Sequence, residues 1–70
     1  MDLILTKHAK QKMIERDISI EEVQNTIELP DYTINKGDKI ESYKKENNKN
    51  LKVGYSIRGK FIKIVTVIIK

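Results

Sequence analysis

The chain's single histidine, His8, stands four residues before Lys12, and Lys12 stands four before Arg16. At helical spacing the three lie along one side of a helix, drifting by about 40° per step. A histidine titrates near neutral pH and can act as general acid or base. A lysine and an arginine beside it can hold a phosphate and stabilise the charge that develops when a phosphodiester is cleaved. The same spacing has a structural reading. At 100° steps, Ala9, Met13 and Arg16 fall within about 60° of each other. Arg16 then occupies a core-stripe position, with His8 and Lys12 at its rim. In that reading Arg16 pairs with Glu15, Asp17 or a sheet carboxylate and covers the rim with its stem. His8 bonds only a backbone carbonyl. Site residues and structural ion pairs look alike at this level, and for Arg16 the spacing leans to the clamp.

A second set of cations lies late in the chain. Residues 1–35 carry four basic and seven acidic groups, a net charge of −3. Residues 36–70 carry ten basic and three acidic groups, a net charge of +7. A basic half of this size suits a polyanion, RNA or DNA, and the Lys-, Asn- and Ile-rich composition that an AT-rich genome gives accounts for it equally well. Lys52 and Arg58 share strand parity with Ser56, and Lys60 and Lys63 follow in the next turn and strand. These five positions form one basic face. Tyr43 and Tyr55 can stack bases where exposed. Tyr55 has core parity, and the parity of Tyr43 stays undecided.

The elements that must position these residues follow from local signals. Leu3 to Leu5 reads as a short first strand, and Thr6 as the N-cap of a helix that Asp17 ends. Ser19-Ile20-Glu21-Glu22 is a capping box, with Ile18 able to staple to Val23. In the second helix Ile20, Val23 and Ile27 form the apolar stripe, and Glu21, Glu22 and Glu28 the wet face. Pro30 stops it. The short connection predicts a helical hairpin. After Pro30 the period becomes two. "YTIN" is a short strand, "KGDK" a turn, Ile40 to Glu46 a charged strand, and "NNKN" the end of a hairpin. Leu51, Val53, Tyr55 and Ile57 alternate with polar residues, as in a strand with one buried face. After the "RGK" turn, Phe61 to Ile69 is apolar on both parities. Ile62, Ile64, Thr66 and Ile68 form one set, and Phe61, Val65, Val67 and Ile69 the other. The second set is expected to be an uncovered patch that self-association or a partner protein covers. The fold class is therefore α+β, in the order β-α-α-β-β-β(-β). The helical hairpin packs on one face of an antiparallel sheet, in one domain spanning residues 1–70.

Composition sets the outer limits. Seventy residues make one domain with a thin core. Without cysteine there is no disulfide and no thiolate metal site, which suits a cytoplasmic protein. The start is not a signal peptide, and the longest apolar run, Ile64 to Ile69, is too short to span a bilayer. There is no glycine-rich phosphate loop and no nucleophile elbow. One histidine among scattered carboxylates argues against a metal site, so no metal and no cofactor is expected.

One longer pattern unites these pieces. His8-Ala9, Met13, Glu15-Arg16, Ile18, Glu22-Val23 and Pro30, followed by a last strand carrying Thr66-Val67, resembles the bacterial family known as domain of unknown function 4258. The resemblance covers essentially the whole chain and is loose between Pro30 and Leu51. That family looks like a compact relative of the RelE/ParE and BrnT toxins, many of which cleave mRNA, some on the ribosome, and are silenced by an antitoxin segment. The resemblance implies a RelE-like fold and a toxin-like ribonuclease. His8 and Arg16 are its motif positions, and Lys12, Arg58 and Tyr55 are supporting residues. RNA and a cognate antitoxin would be its partners. The expected reaction is metal-independent: a ribose 2′-hydroxyl attacks the adjacent phosphate, His8 moves a proton, and Lys12 with Arg16 or Arg58 stabilises the charge. The rival is a non-enzymatic module that binds protein or nucleic acid through the apolar last strand and the basic hairpins. Catalytic residues on a C-terminal extension, where some relatives place them, are not expected here.

Overall fold

The computed structural model describes residues 2–70. The chain runs β1 (Asp2–Leu5), α1 (Lys7–Glu15), α2 (Ile20–Glu28), β2 (Tyr32–Asn35), β3 (Ile40–Glu46), β4 (Lys49–Arg58) and β5 (Phe61–Ile69). All five strands form one sheet in the order β1-β5-β4-β3-β2. The α+β class and the element order are those expected. The sheet, however, is mixed rather than antiparallel, because β1 runs parallel to β5. Hairpins force alternating directions on β2 through β5. No hairpin ties β1 to a neighbour. The two helices carry the chain from β1 at one edge to β2 at the other, and the meander returns it strand by strand to β1.

Thr6 caps α1 and also anchors it. Its side-chain oxygen accepts the Ala9 N–H at 3.2 Å, and its hydroxyl donates to the Ile64 carbonyl at 2.9 Å. The far end of α1 explains Arg16. Arg16 is the C-cap, and Asp17 takes a left-handed φ of 54°. Ile18 N–H donates to the Met13 carbonyl at 2.9 Å, and Asp17 N–H to that of Ile14 at 3.4 Å. This is the paired 6→1 and 5→2 bonding of a Schellman ending, with Ile18 meeting Met13 beneath it. The reversal seats Ile18 in the core and leaves Arg16 exposed. Arg16 makes no ion pair among the described residues. The expected clamp is therefore absent: the helix has ended before the stripe reaches this residue.

The capping box of α2 forms as expected, and Ile18 and Val23 share the core. The stripe is rotated from the expected one. Val23, Thr26 and Ile27 are buried together with Glu22, whereas Ile20 is exposed. Thr26 can occupy the buried side because its hydroxyl donates back to the Glu22 carbonyl at 2.7 Å.

The register of β5 changes midway. Tyr55 faces Ile64, but Gly54 faces Thr66, so Val65 is an extra residue in a β-bulge. Beyond it the parity inverts. Ile62 and Ile64 point to the helices, and so do Val67 and Ile69, with Ile64 and Val67 fully buried. This corrects the expected patch: Val67 and Ile69 belong to the core, and the far side of the strand carries Phe61, Lys63, Thr66 and Ile68.

The core lies between the helices and the face formed by Leu51, Val53, Tyr55, Ile64 and Val67. Ser42 is fully buried, and its hydroxyl has no partner. An orphaned buried hydroxyl costs about 1–3 kcal/mol. Ser42→Ala is therefore expected to leave stability unchanged or raise it by up to about 1 kcal/mol. Urea unfolding measures this, and a clear loss would mean that the hydroxyl is bonded in solution.

Candidate nucleic-acid interface

The second face of the sheet carries no helix. Pairing places its side chains in five rows across the strands. The first holds Asp2, Phe61 and Arg58, the second Ile4, Lys63 and Ser56, and the third Thr66, Gly54, Glu41 and Ile34. The fourth holds Ile68, Lys52, Tyr43 and Tyr32. The last holds Asn50 and Lys45, with Lys70 joined to Asn50 by a backbone bond of 2.8 Å. Gly54 leaves room in the third row: a Cβ there would stand 3.8 Å from the stem of Lys39 and 3.4 Å from Thr66.

Tyr32 and Tyr43 are opposite each other, with ring centroids 4.5 Å apart and planes 9° from parallel. That spacing is close to the distance between strands. The rings therefore stand upright on the sheet, each turning its faces toward neighbouring strands. One face of Tyr43 is covered by Tyr32. The other meets the Nζ atoms of Lys70 and Lys52, at 5.0 and 6.0 Å from the ring centre.

A polar bridge fixes this arrangement. The Tyr43 hydroxyl donates to Glu41 at 3.1 Å, and Lys52 Nζ pairs with the other Glu41 oxygen at 3.1 Å. The Lys52 bond, foremost, holds the Glu41 carboxyl below the usual range. The same bond raises the Lys52 pKa. Desolvation and then Glu41 push the Tyr43 hydroxyl up. Lys52 is thus a cation with a committed partner. Arg58, Lys63, Lys45 and Lys70 make no ion pair among the described residues.

At the corner of this face lies a cleft of about 200 Å³, lined by Asp31, Tyr32, Tyr43, Lys44, Lys45, Asn50, Leu51 and Lys70. It exists because β2 begins only at Tyr32, leaving the last row without a fourth strand. Across the molecule, a shallower groove of about 530 Å³ runs along α1 between Leu5, Lys10, Met13, Ile14, Asp17 and Ile18. Among the described residues no three His, Asp or Glu side chains form a group that could hold a metal ion. No helix among them is long and apolar enough to cross a membrane.

The model of the family described as domain of unknown function (DUF4258) matches residues 5–69. The chain belongs to this family. No curated protein and no solved structure matches it.

The motif positions of the DUF4258 resemblance lie mostly in the helical layer. His8 is exposed near the start of α1 and makes no hydrogen bond or ion pair among the described residues. Lys12 is half-buried and pairs with Glu15 at 3.5 Å. Neither cavity is lined by His8, Lys12, Arg16 or Arg58. Register puts Arg58 on the helix-free face, apart from the other three. Lys52, Arg58 and Lys63 do share that face, and Lys60 is exposed in the turn beside it. Tyr43 is 7% exposed and cannot receive a base. Tyr55 is in the core. The available ring is Tyr32, 56% exposed. Tyr32, Lys45 and Lys70 lie outside the set of candidates that the sequence pattern offers. A signal was present: a two-residue turn at Gly37-Asp38 forces Tyr32 to pair with Tyr43.

Proposed function

We propose that this protein binds single-stranded RNA on the helix-free face of its sheet. One observation carries the reading. Cations free of ion pairs among the described residues stand in three of the five rows of that face, Arg58 and Lys63 at one end and Lys45 and Lys70 at the other, and an exposed tyrosine ring flanks the cleft at the corner. Such a face offers phosphates a line of charge and one base a stacking surface. A duplex hides its bases from such a ring, whereas a single strand presents them. A cytoplasmic location belongs to the same reading.

The test is the salt dependence of binding to a labelled oligouridylate. Each phosphate contact contributes a slope of about −0.7 to log K against log salt for single strands. Arg58→Ala with Lys63→Ala should weaken binding and make the slope shallower by about 1.4, twice that increment. Binding that is absent at low salt, or unchanged in the double variant, sinks the reading.

A toxin-like ribonuclease is the second reading, favoured by His8. It stands exposed and unpaired one turn from Lys12, as a proton carrier beside a phosphate would. Induced protein should then fragment RNA in the presence of a chelator, and folded His8→Ala should not. Equal fragmentation by both would remove His8 from the mechanism.

A further inference from the structure

We propose that the outer face of Tyr32 is the docking site of one unpaired nucleobase, with the neighbouring phosphate held at the corner cleft by Lys45. This rests on the RNA-binding reading above and names where that site takes hold of a base.

The upright geometry of the tyrosine pair decides which surface is free. Tyr43 has Tyr32 on one side and lysine ammonium groups on the other. Tyr32 has a partner only on its inner side, and β2 is an edge strand. Its outer face therefore looks off the sheet. A base stacked there continues the existing stack rather than displacing it. Tyr43 and its Glu41 bond hold the inner ring in place, so a ligand would meet a surface that is already ordered.

The cleft supplies the charge. Lys44, Lys45 and Lys70 line it against one carboxylate, Asp31. That carboxylate accepts the Lys45 backbone N–H at 2.9 Å, and Lys44 Nζ is held by the Leu29 carbonyl at 2.7 Å. Lys45 keeps its ammonium group free of ion pairs among the described residues, whereas that of Lys70 lies over the far face of Tyr43. An aromatic face beside such a cation matches a nucleotide, whose base stacks and whose phosphate is anionic. An added protein strand is the competing occupant of the β2 edge. β2 offers it only four residues, fewer than the usual strand, and a strand has no use for the Lys45 cation.

The experiment uses an oligoribonucleotide carrying 2-aminopurine, whose fluorescence is quenched when the base stacks. The parent should bind and quench it. Tyr32→Ala should weaken binding roughly tenfold, as expected for one lost stacking contact, and lose the quench. Tyr32→Phe should keep both. The Arg58→Ala, Lys63→Ala double variant should bind more weakly but quench fully once saturated. Circular dichroism checks that each variant is folded. If Tyr32→Ala binds and quenches like the parent, the docking site is wrong while RNA binding stands. If the parent binds no oligonucleotide, the RNA reading fails and the site with it. If Tyr32→Ala instead turns a dimeric parent into a monomer with unchanged RNA affinity, the edge is a protein interface and the proposal is overturned.

Discussion

Val67→Glu is expected to abolish the cooperative unfolding transition. Val67 is fully inaccessible and packed among Ile64, Val53 and Leu51. A domain of this size has about 4–10 kcal/mol of stability in total. A lone carboxylate placed in its core costs several kcal/mol, at the extreme end of single substitutions. The neighbouring change is the control. Ile68 is 38% exposed on the helix-free face, so Ile68→Glu should shift stability by less than about 1 kcal/mol. Thermal melts followed by circular dichroism measure both. The contrast depends on the bulge at Val65. Without it the two positions would exchange faces, and the outcome would be reversed.

The second large effect is at Glu22, which is 6% exposed. One of its oxygens accepts the Ser19 N–H at 2.9 Å and Lys49 Nζ at 3.3 Å, and the other accepts from Asn47 at 3.2 Å. Lys49 also donates to the Asp17 carbonyl at 2.7 Å. One carboxylate thereby joins the helical hairpin to the β3–β4 turn. Glu22→Ala should cost about 2–3 kcal/mol at neutral pH, from a lost cap and a broken, nearly buried ion pair. The pH dependence has a definite sign. The Ser19 N–H, foremost, holds the carboxyl below its ordinary 4.5; burial opposes this, and Asn47 and Lys49 assist it. A depressed folded-state pKa gives stability that is present above the unfolded-state value and lost as pH falls through the folded one. Urea unfolding of parent and variant should therefore differ most near neutrality and converge as the pH drops below 4.5. Curves that stay parallel into acid would show that Glu22 is not the titrating group.

Signals confined to a few residues were legible in the sequence. The Ser19–Glu22 box, the Thr6 cap and the Pro30 stop each state a local geometry, and each forms. The alternation of Leu51, Val53 and Tyr55 likewise gave the buried face of β4. What depended on counting through an irregularity was not legible. A period of two carries no mark of the residue at which β5 slips, so it puts Val67 on the wrong side. Periodicity in α1 carries no mark that the last helical residue is Glu15, so it puts Arg16, the C-cap, inward. The basic face was visible as parity among Lys52, Arg58 and Lys63, but its aromatic member was not. Tyr32 gains its exposure from the shortness of an edge strand, and Tyr43 loses its own to the ring beside it. Both are properties of pairing between strands, which a single strand's pattern does not contain.

The parallel contact between β1 and β5 also bears on the order of folding. The Thr6 hydroxyl reaches a carbonyl 58 positions further along the chain, whereas each meander hairpin closes over a few residues. Closing a loop nearly as long as the domain carries the largest entropy cost of any pairing in the sheet. Contacts of such separation slow folding. On the ribosome, β1 emerges first and has no sheet partner until β5 has been made. The meander can zip from its turns while the first strand waits, its apolar Leu3 and Leu5 uncovered. The Thr6 bond to Ile64 is in this sense a latch that closes late, and conditions that slow synthesis prolong the interval in which it stays open.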